Sequence, residues 1–240
     1  MAPLPLEQRS KFFVFVIESP SAVDLYHRRS EGEIVRQAVE LNGLHCVVKT
    51  AISLAAFNAC LKIGLSQAMD ALPGHIPLLH ISAHGDAHGI QLSNDYLMSW
   101  LDLKEHLRPV NQALGGSLVV CMSSCEGYSG TRMAMHIGED DLPYFALIGC
   151  GSQPTWGETA VAYTTLYHQL WRGEPVGDAV AAMRVASGND KFFVEHAQTI
   201  RQDYVAYLAG VNPAQAQQNL ESIAAAETPD QQKALKSLAS

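Results

Sequence analysis

Two consecutive apolar runs end in residues of the types needed for thiol catalysis. Pro77 to Ser82 leads into Ser82-Ala83-His84-Gly85, and Ser117 to Met122 leads into Ser123-Ser124-Cys125-Glu126-Gly127. In an open α/β sheet, ligand sites form beyond the carboxyl ends of the strands. Consecutive strands are usually neighbours, so His84 and Cys125 are expected to rise from adjacent loops. A free cysteine is only partly thiolate at neutral pH and gains reactivity from a nearby imidazole. His84 is then the group that polarises a scissile amide and protonates its leaving amine. Gly85 lets the backbone approach closely, so its N–H is a candidate oxyanion donor. The same pair has a plainer reading, because a cysteine near a strand end is often a packing residue. Spacing alone leaves both readings open.

Other chemistries fit less well. His75, His80, His84 and His88 fall close together, which raises the question of zinc. His80 lies inside an apolar run, and neither a His-Glu-x-x-His pattern nor paired cysteines accompany the cluster. No metal and no cofactor is expected. Ser123-Ser124 lacks the Gly-x-Ser-x-Gly elbow of serine hydrolases. Gly149-Cys150-Gly151 is not followed by the Gly-Lys-Ser/Thr of a phosphate loop. Cys121 sits among Val119, Val120 and Met122 and reads as a core thiol, and packing is also the simpler role for Cys150.

These residues must be carried by an alternation of short apolar runs and longer amphipathic ones. Lys11 to Ile17, His45 to Thr50, Pro77 to Ser82, Ser117 to Met122 and Tyr144 to Ile148 read as buried strands. Ser30 to Leu41, Ala55 to Leu72, Leu101 to Leu114, Thr159 to Trp171 and Val176 to Ala186 read as helices, with Pro109 expected to kink or split the third. Near-continuous apolar strands alternating with helices predict an α/β fold, a mostly parallel sheet covered on both faces. Asn212-Pro213 and Thr228-Pro229 each place a cap before a proline, predicting two short C-terminal helices.

Composition narrows the function classes. The 240 residues are 48% hydrophobic, enough apolar surface to exclude intrinsic disorder. Sixteen Lys+Arg against 24 Asp+Glu give a net charge of −8 with no basic run, which argues against nucleic acid as a partner. FFVFVI is far too short to span a bilayer, so no membrane partner is expected, and it lacks a signal-peptide cleavage site. Five scattered cysteines, an odd number, read as reduced thiols in a cytoplasmic protein.

The stretches around His84 and Cys125 resemble the CHAT group of caspase-like cysteine peptidases, a clan that includes metacaspases, separase and gingipains. Members show an apolar strand ending in His-Gly, a short hairpin with a Leu-Ser turn, a Trp-containing helix start and a second strand ending in small-small-Cys-Glu. Here these are His80 and His84-Gly85, Leu92-Ser93, Trp100 to Leu103, and Leu118 to Glu126. Further on, Leu166-Tyr167 to Leu170, Gly173, Ala179 and Arg184 match the family's aromatic-Tyr and Ala-x-x-x-Arg segments. The likeness spans roughly residues 11 to 187.

The resemblance implies a caspase-like three-layer sandwich over residues 1–208, with residues 209–240 as a helical appendage. It implies Cys125 as nucleophile and His84 as its imidazole, with the Gly85 and Cys125 N–H groups as the oxyanion site. Trp156 falls where the family shapes its specificity pocket. The acidic residue that metacaspases carry two positions before the nucleophile is Ser123 here, which leaves Asp86, Glu126 and Glu158 as acidic candidates for substrate binding. The expected activity is cysteine endopeptidase cleavage of a protein substrate, in a bacterial stress or antiphage role, switched on by an activating protein partner. The alternative is a caspase-like scaffold with little catalysis.

Overall fold

The structure, a computed structural model, describes residues 11–137 and 141–210. The two helices expected after Asn212 and Thr228 therefore lie outside the described residues.

The first strand, β1 (Phe12–Ser19), is buried at every position. Its alternation decides the layering, because successive side chains of a strand point to opposite faces. Phe13, Phe15 and Ile17 pack into one apolar cluster with Phe57, Leu61, Leu65, Trp100, Leu103 and Leu107. Phe12, Val14 and Val16 pack into another with Val35, Val39, Tyr163, Leu166, Tyr167 and Met183. Full burial of a large apolar side chain contributes about 1.5–3 kcal/mol, so this one strand anchors both helical layers.

After β1 come α1 (Ala22–Tyr26), α2 (Glu31–Glu40) and β2 (Cys46–Thr50). A long helical stretch follows as α3 (Leu54–Ala59), a π-helical segment (Cys60–Gly64) and α4 (Leu65–Ala71). Then come β3 (Ile76–Asp86), the hairpin strands β4 (Gly89–Gln91) and β5 (Leu97–Ser99), α5 (Trp100–Ala113) and β6 (Val119–Ser123). A 3-10 segment (Gly127–Ala134), β7 (Ala146–Cys150), α6 (Trp156–Arg172), α7 (Val176–Ser187), β8 (Phe192–His196) and α8 (Ala197–Gly210) complete it. The main sheet runs β2-β1-β3-β6-β7-β8, parallel except for β8, which is antiparallel to β7. The expected α/β architecture, a mostly parallel sheet between two helical layers, is what is observed. No helix among the described residues is long and apolar enough to cross a membrane.

Two local expectations change. Of the kink or split expected at Pro109, the split does not occur, because α5 continues through it to Ala113. A mid-helix proline costs about 3 kcal/mol, and burial of Trp100, Leu103 and Leu107 on the inner face offsets that. Asn111, one turn on, bonds the Leu142 carbonyl and the Leu118 N–H at 2.8 and 2.9 Å, pinning the end of the helix to the sheet. The second change is the π-helical segment inside the helix expected over 55–72, where Gly64 sits against Phe15; a Cβ there would lie 3.3 Å from the phenyl ring.

The topology fixes where a site can form. From β1 the chain turns through α1 and α2 to β2 on one side, whereas from β3 it moves to β6 on the other. The connections leaving β1 and β3 therefore diverge, and a crevice opens beyond their carboxyl ends. Ser19, His84 and Cys125 all lie at or just beyond this edge of the sheet.

Candidate active site

Cys125 stands on a tight turn. β6 ends at Ser123, and Glu126 takes a left-handed conformation (φ 52°) before the 3-10 segment begins. A non-glycine residue there costs on the order of 1 kcal/mol. The turn is held by the Glu126 N–H on the Ser152 carbonyl at 2.8 Å and the Gly127 N–H on the Ser124 carbonyl at 3.2 Å. Gly127 has no room for a side chain, since a Cβ would lie 2.7 Å from the Met122 carbonyl oxygen. The thiol so displayed is half-buried. Burial pushes its pKa up, helped by the neighbouring Cys150 and Glu126, so at neutral pH Cys125 rests protonated.

His84 extends from a β3 that runs four residues past the expected Ser82 and continues into the β4 hairpin, with His84 opposite Gln91. Gly85 backs directly onto the nucleophile turn: a Cβ would fall 2.9 Å from the Gly89 carbonyl oxygen and 3.1 Å from Ser124 Cβ. The imidazole is held by a residue the sequence reading did not single out. His84 Nε2 lies 2.7 Å from Asp24 Oδ2, an acid with a 4% exposed side chain. Asp24 belongs to a capping box on α1, bonded by the N–H and hydroxyl of Ser21. Arg29 approaches its other oxygen at 3.5 Å. Burial opposes its ionisation, but the bonds from Ser21 and His84 outweigh this and hold the carboxyl below its usual range. An ionised Asp24 accepts, so Nε2 carries the proton and Nδ1 is left for a reacting group. Trp156, the first residue of α6, stands edge-on to the imidazole with centroids 6.1 Å apart.

His84, Cys125 and Trp156 line one cavity of about 260 Å³, together with Ser124, Pro154, Thr155 and Thr159. Its floor is polar and carries a second unanticipated acid, Glu31, at the first position of α2 and 2% exposed. Ser82 donates to one of its oxygens at 2.6 Å, and Ser123 reaches both at 2.8 and 2.9 Å. His80 Nε2 lies 3.7 Å away. Burial opposes ionisation here as well, but His80 and the two serines more than reverse it and hold the carboxyl low. A helix N-terminus also favours a negative charge. The helix start itself is tied down by buried Glu18, which accepts from the Gly32 N–H at 3.1 Å and the Ser30 hydroxyl at 2.8 Å.

The three acids expected to bind substrate stand elsewhere. Asp86 closes the hairpin turn, accepting from the His88 and Gly89 N–H groups. Glu158 caps α6 through Thr155 and takes a bond from Asn189 at 3.2 Å. Glu126 forms the left-handed corner after the nucleophile. None of them is among the cavity's lining residues. Cys121 is a fully buried thiol pushed up to about 12 by its burial, and Cys150 is buried against Ser152. The described residues contain no group of three His, Cys, Asp or Glu side chains able to hold a metal ion.

No family model matches the sequence, and no curated protein does. Among solved structures, the fold is similar to the Arg-specific cysteine proteinase gingipain R, at 12% identity and a TM-score of 0.48 over 80% of this chain and 49% of that one. It is likewise similar to a complex of the pro- and mature domains of RgpB from Porphyromonas gingivalis, at 11% identity and a TM-score of 0.49 over 80% of this chain and 50% of that one. The chain thus spans about half the length of these proteins.

Proposed function

We propose that this chain is a cysteine endopeptidase that cleaves after a basic residue. The observation that carries the reading is the shared cleft: Cys125 and an Asp24-oriented His84 at its mouth, and a buried carboxylate, Glu31, at its floor. A peptide in the cleft displaces water, and His84 Nδ1 takes the thiol proton. The Cys125 sulfur bonds to the scissile carbonyl carbon, and the oxyanion is held by the N–H groups of Gly85 and Cys125. As the tetrahedral adduct collapses, the C–N bond breaks and His84 passes its proton to the leaving amine. Water then gives a proton to His84, adds to the thioester and releases the acid and the thiol. Asp24 holds the imidazole tautomer throughout, and Trp156 packs along the substrate side chain.

The raised thiol pKa fits an enzyme whose nucleophile is activated only with substrate bound. It also favours the rival reading, a scaffold of low reactivity. Resemblance to the CHAT group extends the proposal to a cytoplasmic bacterial effector that cuts a partner protein and is activated by another component. A peptide-library cleavage profile of the wild type beside Cys125→Ala and His84→Ala tests the core of it. The proposal expects cleavage after Arg or Lys, lost in both variants, and cleavage that survives both substitutions refutes it.

A further inference from the structure

Beneath the cleft floor, His80 has no role in the proposed chemistry, yet its environment is specific. It is fully buried in β3, and its Nδ1 pairs with the Tyr167 hydroxyl at 2.8 Å. Its ring stands edge-on to Tyr163, with centroids 4.8 Å apart. Its Nε2 is buried without a hydrogen-bond partner and faces Glu31 across 3.7 Å. A buried ring nitrogen left unsatisfied is costly, and here the unsatisfied atom points at the carboxylate that forms the floor.

Glu31 is the charge nearest His80; a second buried carboxylate, Glu18, lies two residues beyond its β1 register partner Val16 and is bonded by Ser30 and Gly32. Glu31 faces it from α2. From α6 come Tyr163 and Tyr167, whose hydroxyls burial pushes far above their usual range, so both are neutral. On β6 its register partner is Cys121, also neutral, and on β1 it is Val16. Protonating His80 therefore raises the net charge beneath the cleft by one, next to Glu31.

We propose that His80 is the proton-controlled counter-ion of the pocket floor: neutral His80 leaves Glu31 to a cationic side chain, and protonated His80 cancels it. This rests on the reading of Glu31 as a cation acceptor, but not on catalysis. His80 is a positioning residue and touches no substrate. By linkage, a guanidinium that binds Glu31 must expel the His80 proton, and acid must weaken guanidinium binding by the same coupling.

The test is calorimetric binding of agmatine to the full chain between pH 5.5 and 8, in buffers of different ionisation enthalpy. The expected result is affinity at least about tenfold tighter at pH 8 than at pH 5.5, with a proton released on binding near the acid end and none at pH 8. His84 also lines the cleft, so His84→Gln is measured in parallel and should keep the proton release, whereas His80→Gln should abolish it and bind equally at all pH values. Should His80→Gln not fold, the His84→Gln result decides alone. Proton release lost in His84→Gln, or binding independent of pH in the wild type, overturns the role of His80. Absence of agmatine binding at every pH overturns it together with the basic-residue preference. The peptidase reading stands or falls separately, on whether Cys125→Ala abolishes peptide cleavage.

Discussion

β3 carries two histidines four residues apart, and each meets a carboxylate from the short connection that follows β1. His84 is partly exposed and bonds Asp24 at 2.7 Å, whereas His80 is fully buried and stands 3.7 Å from Glu31. The residue types are the same but the consequences differ. At the sheet edge, a direct bond to a well-supported acid fixes one nitrogen and frees the other for reaction. Inside the sheet, Glu31 already accepts from Ser82 and Ser123, and His80 Nε2 is left beside it without a hydrogen bond. Position on the strand, in or beyond the sheet, separates an orienting pair from a balancing one.

The largest effect expected from breaking this contrast is at the edge. His84→Ala should lower kcat by about 10³-fold, within the range for loss of a general acid–base group. Asp24→Asn should cost less, about 10²-fold, and should act on kcat more than on KM, because it leaves the imidazole present but in the wrong tautomer. Steady-state kinetics on one Arg peptide measure both, and an Asp24→Asn enzyme of full activity would separate Asp24 from the chemistry.

At the floor, Glu31→Gln should lower the ratio of kcat/KM for an Arg peptide over its citrulline counterpart by about 10–100-fold, the scale of one charged hydrogen bond. Asp24→Asn should leave that ratio unchanged. Equal losses on both peptides would show that Glu31 supports the fold and not the selection of substrate.

A smaller effect is expected in acid stability. Asp24 and Glu31 both ionise below their unperturbed values of 3.8 and 4.5. Their stabilisation is then complete above those unfolded-state values and is lost as pH falls through the lower folded-state ones. The melting temperature of the wild type should fall more steeply below pH 4.5 than that of Glu31→Gln, by differential scanning calorimetry at matched ionic strength. Parallel slopes would contradict an ionised, bonded Glu31.

Much of this was readable from the chain. The five parallel strands, four of them buried and β2 at the partly exposed edge, announce themselves as apolar runs, and the two reactive loops follow directly from the ends of two of them. Asp24 leaves a local trace, since Ser21-x-x-Asp24 is a capping-box pattern, but nothing local says that the box will face His84. That meeting depends on the β1–β3 register, in which Ser19 pairs with Ala83. Glu31 is an acid at a helix start like many others, and only the packing of α2 across the sheet turns it into a cavity floor. Asp86, Glu126 and Glu158 are near the reactive residues in sequence and for that reason are captured by local turns and caps. β8 was missed because Phe192–His196 is short and pairs antiparallel at the sheet edge, outside the strand–helix alternation that reveals the others.

The most direct test of the central claim is covalent. An Arg chloromethyl ketone is incubated with the full chain at neutral pH, with and without agmatine, and the adduct is located by peptide mass mapping. The expected result is a single adduct on Cys125, slowed by agmatine, with Cys46, Cys60, Cys121 and Cys150 unmodified. Labelling of another thiol at an equal rate, or an unmodified Cys125, would contradict it.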